Sequence, residues 1–268
     1  MEAYLHHYGI LGQKWGIRRF QNADGSLTSE GRIRYGSKNE NPSIINNADG
    51  SKTFQKGFKL NRVGKSELDV NKSGGLYVSY GDDDLNRYVK ALGPSLLANL
   101  FNKAATTIQH LSVKENLKMP SDDEFAKECA KALRDNSSLL ESFNTGLYSI
   151  VYTDDFEKKI SNKDLEEIIN NPKSKSAKKF AYSVNSFFGD PKYVNETKAI
   201  YSAFRDKGYD ALPDLHDTMS GTSKTAFVVI NPSKISVDST TTITKDTFKE
   251  AKKYVKSLEK LSVDDLIK

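Results

Sequence analysis

AFVVINP (Ala226–Pro232) is the most apolar run in the chain, and its reading decides the fold. It is short, β-branched and aromatic, and Asn-Pro closes it, which predicts a buried strand. No hairpin partner adjoins it, because the polar stretch HDTMSGTSKT (His216–Thr225) precedes it. A lone buried strand leaves backbone N–H and C=O groups unpaired, at more than about a kilocalorie each. Two other runs have strand character. LYVSYG (Leu76–Gly81) follows a Gly pair, and FKLNRVG (Phe58–Gly64) lies just before it. We expect LYVSYG and AFVVINP to share one sheet, directly or through FKLNRVG, although most of the chain separates them.

Between these strands the periodicity turns helical. DDDLNRYVKALG (Asp82–Gly93) opens with three acids, which suit the positive end of a helix dipole. Ser121 and Glu124 form a capping-box pattern before FAKECAKALRD, and Ser161 opens NKDLEEIINN, which ends at Pro172. KSAKKFAYSVNSFFG (Lys175–Gly189) and YVNETKAIYSAFRDKG (Tyr193–Gly208) are amphipathic and each stops at Gly. A charged helix, KDTFKEAKKYVKSLEKL, follows the last strands. The expected fold class is α+β: a small mixed sheet with several amphipathic helices, preceded by an irregular N-terminal docking segment. The expected divisions are a docking motif at 1–37, a polar linker at 38–53, an α+β domain at 54–245 and a C-terminal helix at 246–268.

The 268 residues are 37% hydrophobic and 28% charged, with mean hydropathy −0.60 and net charge +5, the balance of a polar globular chain. Aromatic content of 10% argues against wholesale disorder. No run approaches the roughly 20 apolar residues that span a bilayer, and the N-terminus has no apolar signal core, so no membrane partner is expected. The single cysteine, Cys129, lies on a helical pattern and reads as a buried thiol. Neither zinc spacing, a phosphate loop nor a nucleophile elbow is present. His6 and His7 lack further ligands at metal-binding spacing, so no metal is expected. Asp82, Asp83 and Asp84 read as capping and dipole groups.

Residues 1–37 have a different character. From Lys14 to Lys38, six bases face two acids. Trp15, the only tryptophan, sits among Gly12, Gly16, Lys14, Arg18 and Arg19. Trp and Arg dominate interface hot spots, and glycines let a partner's backbone come close. The candidate partner-binding residues are therefore His7, Gln13, Lys14, Trp15, Arg18 and Arg19. The same basic charge is also compatible with phosphate, and hence with a nucleic-acid partner.

HHYGILGQKWGIRRFQNADGSLTSEGRIRYG (His6–Gly36) resembles a module found at one end of structural proteins of phages and prophages of Firmicutes. The matching residues include His7, Gly9, Gly12, Gln13, Lys14, Trp15, Gly16, Arg18, Arg19, Asp24, Gly25, Arg34 and Tyr35. The resemblance implies a virion-associated protein, structural or ejected. Other phage structural proteins would be its partners, and it would be found in the virion and the host cytoplasm. The body resembles a divergent ADP-ribosyltransferase of the phage and toxin type. The residues that carry this are Arg62 in FKLNRVG, Ser79 in LYVSYG, and GYDALPD…TAFVVINPSKI (Gly208–Ile235). The resemblance implies an Arg that grips the pyrophosphate of NAD, a strand Ser that shapes the nicotinamide pocket, and a Glu that stabilises an oxocarbenium-like ribose. The stretch that leads into AFVVINP, HDTMSGTSKT (His216–Thr225), has no Glu; Asp214 and Asp217 are the nearest acids.

Three readings follow from these residues. The first is a non-enzymatic virion protein with no cofactor. The second is an NAD-dependent ADP-ribosyltransferase acting on a host protein, with Arg62, Ser79, Asp214 and Asp217 as its catalytic residues. The third is a nucleic-acid-binding protein that uses the basic N-terminal segment.

Overall fold

The computed structural model describes residues 43–64, 70–94, 105–145 and 159–264. By internal contacts the chain divides into Met1–Pro42 and Ser43–Lys268. The candidate docking residues His7, Gln13, Lys14, Trp15, Arg18 and Arg19 lie outside the described residues.

In chain order the strands of the body are β1 (Ile44–Asn46), β2 (Lys52–Phe54), β3 (Lys59–Gly64), β4 (Leu76–Val78), β5 (Thr107–Val113), β6 (Leu117–Met119), β7 (Ala211–Pro213), β8 (Phe227–Val229) and β9 (Ile235–Thr242). The helices are α1 (Asp82–Leu92), α2 (Asp122–Arg134), α3 (Ser137–Thr145), α4 (Asn162–Asn170), α5 (Lys175–Phe188), α6 (Val194–Asp206), α7 (Leu215–Met219) and α8 (Lys245–Asp264). The body is α+β, as expected.

The expected mixed sheet is instead three small antiparallel sheets, ordered β1-β2-β6, β3-β5-β9 and β4-β8-β7. LYVSYG and AFVVINP are direct neighbours, with Leu76 opposite Val229, Tyr77 opposite Val228 and Val78 opposite Phe227. β8 is the central strand of its sheet, and this explains its continuous apolar run. Phe227 and Val229 face a core shared with Phe54, Leu60, Leu76 and Leu111, while Val228 and Ile230 enter the helical core. A strand covered on both faces has no position left for a polar residue.

β3 belongs to the second sheet but touches the third at one point. Asn61 N donates to Ser79 O at 2.7 Å, and Ser79 N donates to Asn61 O at 2.9 Å. This pair sets Arg62, the next residue along, beside the Ser79 strand.

The helices follow the sequence closely. Ser121 accepts from Glu124 N at the start of α2, and Ser161 and Asp164 complete a reciprocal capping box on α4. α5 buries Ala177, Phe180, Ala181, Val184 and Phe188, the stripe that 3.6-residue periodicity puts on one face. Phe143, Phe180, Phe187 and Tyr193 stack around one another in the helical core. Cys129 is fully buried there.

Two divisions expected from the sequence need correction. The composition of 38–53 predicts a linker, but residues 44–54 form the β1–β2 hairpin. Its polarity belongs to the hairpin's exposed face and its turn. Asp49 Oδ1 accepts from Ser51 N and Ser51 Oγ, and Gly50 takes φ +79°, so Asp-Gly acts as a hairpin turn. The C-terminal helix is also part of the body. Ala251 and Val255 are buried, Tyr254 donates to Asp83 at 2.7 Å, and Phe248 packs over Gly93 of the α1 terminus.

Candidate functional site

β3, β4, α1 and the segment from Asp214 to Ala226 enclose a cavity of about 260 Å³. Arg62 and Ser79 line it from the strands, Tyr88 from α1, and Asp214 and Asp217 from the α7 region. The structure thus brings all four sequence-predicted site residues to one cavity. The Asn61–Ser79 bridge accounts for the first two, and the β4–β8 pairing carries the 214–226 segment to the other side.

Arg62 lies opposite Gln109 in the β3–β5 register, and its Nη1 donates to Gln109 Oε1 at 3.3 Å. Gln109 is completely buried, so this acceptor is fixed by its surroundings. Ser79 is buried at the bridge, with its backbone committed to Asn61.

The two acids differ in environment. Asp214 is buried; its Oδ1 accepts from Asp217 N at 3.1 Å, and its own N–H donates to Ala226 O. Burial, and then the charge of Asp217, push its carboxyl up to about 6. Asp217 is more open to solvent. The Tyr88 hydroxyl donates to its Oδ2, and His216 Nδ1 lies 3.4 Å from its Oδ1. Burial, and then the bond to Asp217, hold the Tyr88 phenol well above the ordinary tyrosine range, so it remains a donor. The site therefore holds a cation on one wall and a pair of unlike carboxyls on the other.

Sequence reasoning missed three residues that hold this wall. Asp84, by sequence a capping and dipole group, is a tether. Its Oδ2 accepts from Ser223 Oγ (2.7 Å), Lys224 N (2.9 Å), Thr225 N (2.7 Å) and Thr225 Oγ1 (2.5 Å). Asn185, buried on α5, donates to Pro213 O at 3.0 Å and accepts from Leu215 N at 2.9 Å, and so fixes the backbone on both sides of Asp214. A polar residue inside the apolar stripe of α5 was the available signal for it. Tyr88 gave no such signal, because an aromatic on an amphipathic helix is ordinarily core.

A second recess of about 210 Å³ borders the same Asp214 and Ala226 and is lined also by Lys52, Tyr80, Asp122 and Lys224. Among the described residues no group of three or more His, Cys, Asp or Glu is arranged to hold a metal ion, and no helix is long and apolar enough to cross a membrane. No protein-family model, curated protein or solved structure matches this chain.

Proposed function

We propose that the body is an ADP-ribosyltransferase-type domain that binds NAD in the Arg62–Ser79–Asp217 cavity and transfers its ADP-ribose to a protein side chain, the bond from ribose C1 to nicotinamide breaking and nicotinamide leaving as the new bond to the acceptor forms. The observation that carries this reading is the convergence of Arg62, Ser79, Asp214 and Asp217, chosen from distant parts of the sequence, on one cavity. The donor set suits the molecule. A guanidinium can fork onto pyrophosphate oxygens, aromatic Tyr77 and Tyr88 line the same cavity and suit a flat ring, and a carboxylate can stabilise the ribose as it gains positive charge. At about 260 Å³ the cavity is smaller than sites that enclose a drug-sized ligand, so it takes the nicotinamide–ribose end, with the adenosine outside.

In this reading Asp217 does the work the absent Glu would do, oriented by the Tyr88 hydroxyl. Asp214, near neutrality at its raised pKa, is suited to receive a proton from the acceptor. The second recess, which shares Asp214 and Ala226 with the first, is where an acceptor side chain would enter. Calorimetry with NAD tests the reading. Wild type should bind, Arg62→Ala should bind at least tenfold more weakly, and Asp217→Asn should lose transfer of labelled ADP-ribose while still binding NAD. Absence of binding at millimolar NAD would overturn it.

The proposed setting is a phage virion, supported by the N-terminal resemblance. There the Trp15 segment docks on another phage structural protein. Trp15→Ala should abolish incorporation into particles and leave the body's melting curve unchanged. Equal incorporation would refute docking through Trp15.

A further inference from the structure

Gly64 sits two residues beyond Arg62 on β3, so the two share a strand face. A Cβ built on Gly64 would lie 2.2 Å from Arg62 Nη1, 3.1 Å from Arg62 Cζ and 3.5 Å from Arg62 Nη2, its three nearest atoms. The guanidinium therefore lies in the space a side chain at position 64 would fill. Gly64 is not among the glycines at positive φ, so its backbone conformation is open to other residues. Its carbonyl accepts from Thr106 N at 2.8 Å and Thr107 Oγ1 at 3.2 Å, contacts that an alanine keeps. What demands glycine here is the position of Arg62. On the opposite strand, Gln109 Oε1 holds Nη1 from a completely buried side chain.

We propose that Gly64 is a positioning residue for Arg62. The side chain absent at 64 is a slot that lays the guanidinium along β3, where Gln109 latches it and it faces the cavity. This rests on the reading of that cavity as a site for the diphosphate of a dinucleotide. Arg62 is a long side chain with many rotamers, and a bidentate grip on a diphosphate needs its fork held in one orientation. Any side chain at 64 closes the slot. Because the atom in the way is the far end of a flexible side chain, the fold accepts the change and Arg62 moves.

The test uses the full chain as wild type, Gly64→Ala, Arg62→Ala and the double variant. We expect Gly64→Ala to melt at or above wild type, since glycine in a strand interior costs conformational entropy. Its Arg62 Nε–Hε NMR resonance, identified by its loss in Arg62→Ala, should shift without any ligand present. NAD binding should weaken at least tenfold, and Gly64→Ala should add no further loss on the Arg62→Ala background. An unmoved Arg62 resonance, wild-type NAD binding by Gly64→Ala, or unfolding of that variant would each overturn the proposal. The resonance is read without ligand, so failure of wild type to bind NAD would remove the dinucleotide reading alone, while the resonance still decides the slot.

Discussion

Truncating Asp84 to alanine should unfasten the wall of the cavity at a single point. The carboxylate is 1% exposed, and its Oδ2 accepts from two hydroxyls and two backbone N–H groups of Ser223–Thr225. Removing it strands the part-buried Lys224 N–H and takes one of two acceptors from the Thr225 N–H, and a donor left unpaired costs about 1–3 kcal/mol. The Thr225 N–H retains Ser223 Oγ at 3.1 Å, and the Thr225 hydroxyl retains the Tyr80 carbonyl at 2.7 Å, which limits the damage. Relief of the carboxylate's own desolvation offsets part of the rest. We expect a net loss of about 3 kcal/mol. At roughly 2–4 °C per kcal/mol for a domain of this size, that is a fall of about 6–12 °C in Tm. Chemical denaturation of wild type and Asp84→Ala measures it directly. Asp84→Asn, which keeps one acceptor oxygen, should fall between them. A loss below about 1 kcal/mol in Asp84→Ala would show that the 223–225 segment is held by other contacts.

Asp214 makes stability depend on pH. Its carboxyl is raised from 3.8 to about 6, so the folded state binds the proton more tightly than the unfolded chain does. This contribution is fully present below pH 3.8 and is lost as pH rises through about 6, a change of roughly 3 kcal/mol. Asp214→Asn should flatten the stability profile between pH 4 and 7, and an unchanged slope would refute the assignment. Gly75→Ala should destabilise by about 1–3 kcal/mol in thermal melts, because the added Cβ would lie 2.8 Å from Val228 Cγ1 and 2.9 Å from Tyr201 Oη. A melt matching wild type would show that the core yields there at no cost.

Long helices and the doubly covered strand were legible because burial wrote itself into their composition. The pairing of LYVSYG with AFVVINP follows from two apolar runs with no local partner, and the structure has that pairing. β5 was not legible: its inward Ile108, Leu111 and Val113 are interleaved with Gln109, His110 and Ser112, and one of those polar residues, Gln109, is itself completely buried. β1 and β2 were hidden by the Asn, Asp, Gly and Ser of their turn, which carry the same letters as a linker. Of the residues that line the cavity, Arg62, Ser79, Asp214 and Asp217 were singled out in the sequence by the resemblance. Asp84 and Asn185 were not, because their roles depend on backbone groups brought from elsewhere in the chain. A tether between segments 139 residues apart leaves no periodic trace.

The β4–β8 pairing also sets a timetable for synthesis. Val78 leaves the ribosome about 150 residues before its partner Phe227, which at roughly 5–20 residues per second is a wait of about 7–30 s. Throughout that interval Leu76 and Val78 have no β8 to cover them, and the backbone of β4 is an open template for any other extended chain. Asp82, Asp83 and Asp84 begin four residues after this strand ends, and Lys72 lies four residues before it begins. Charges flanking an apolar strand act as gatekeepers against aggregation. The acidic triplet thus puts three carboxylates beside β4 for the whole interval before the strand that completes its sheet has been made.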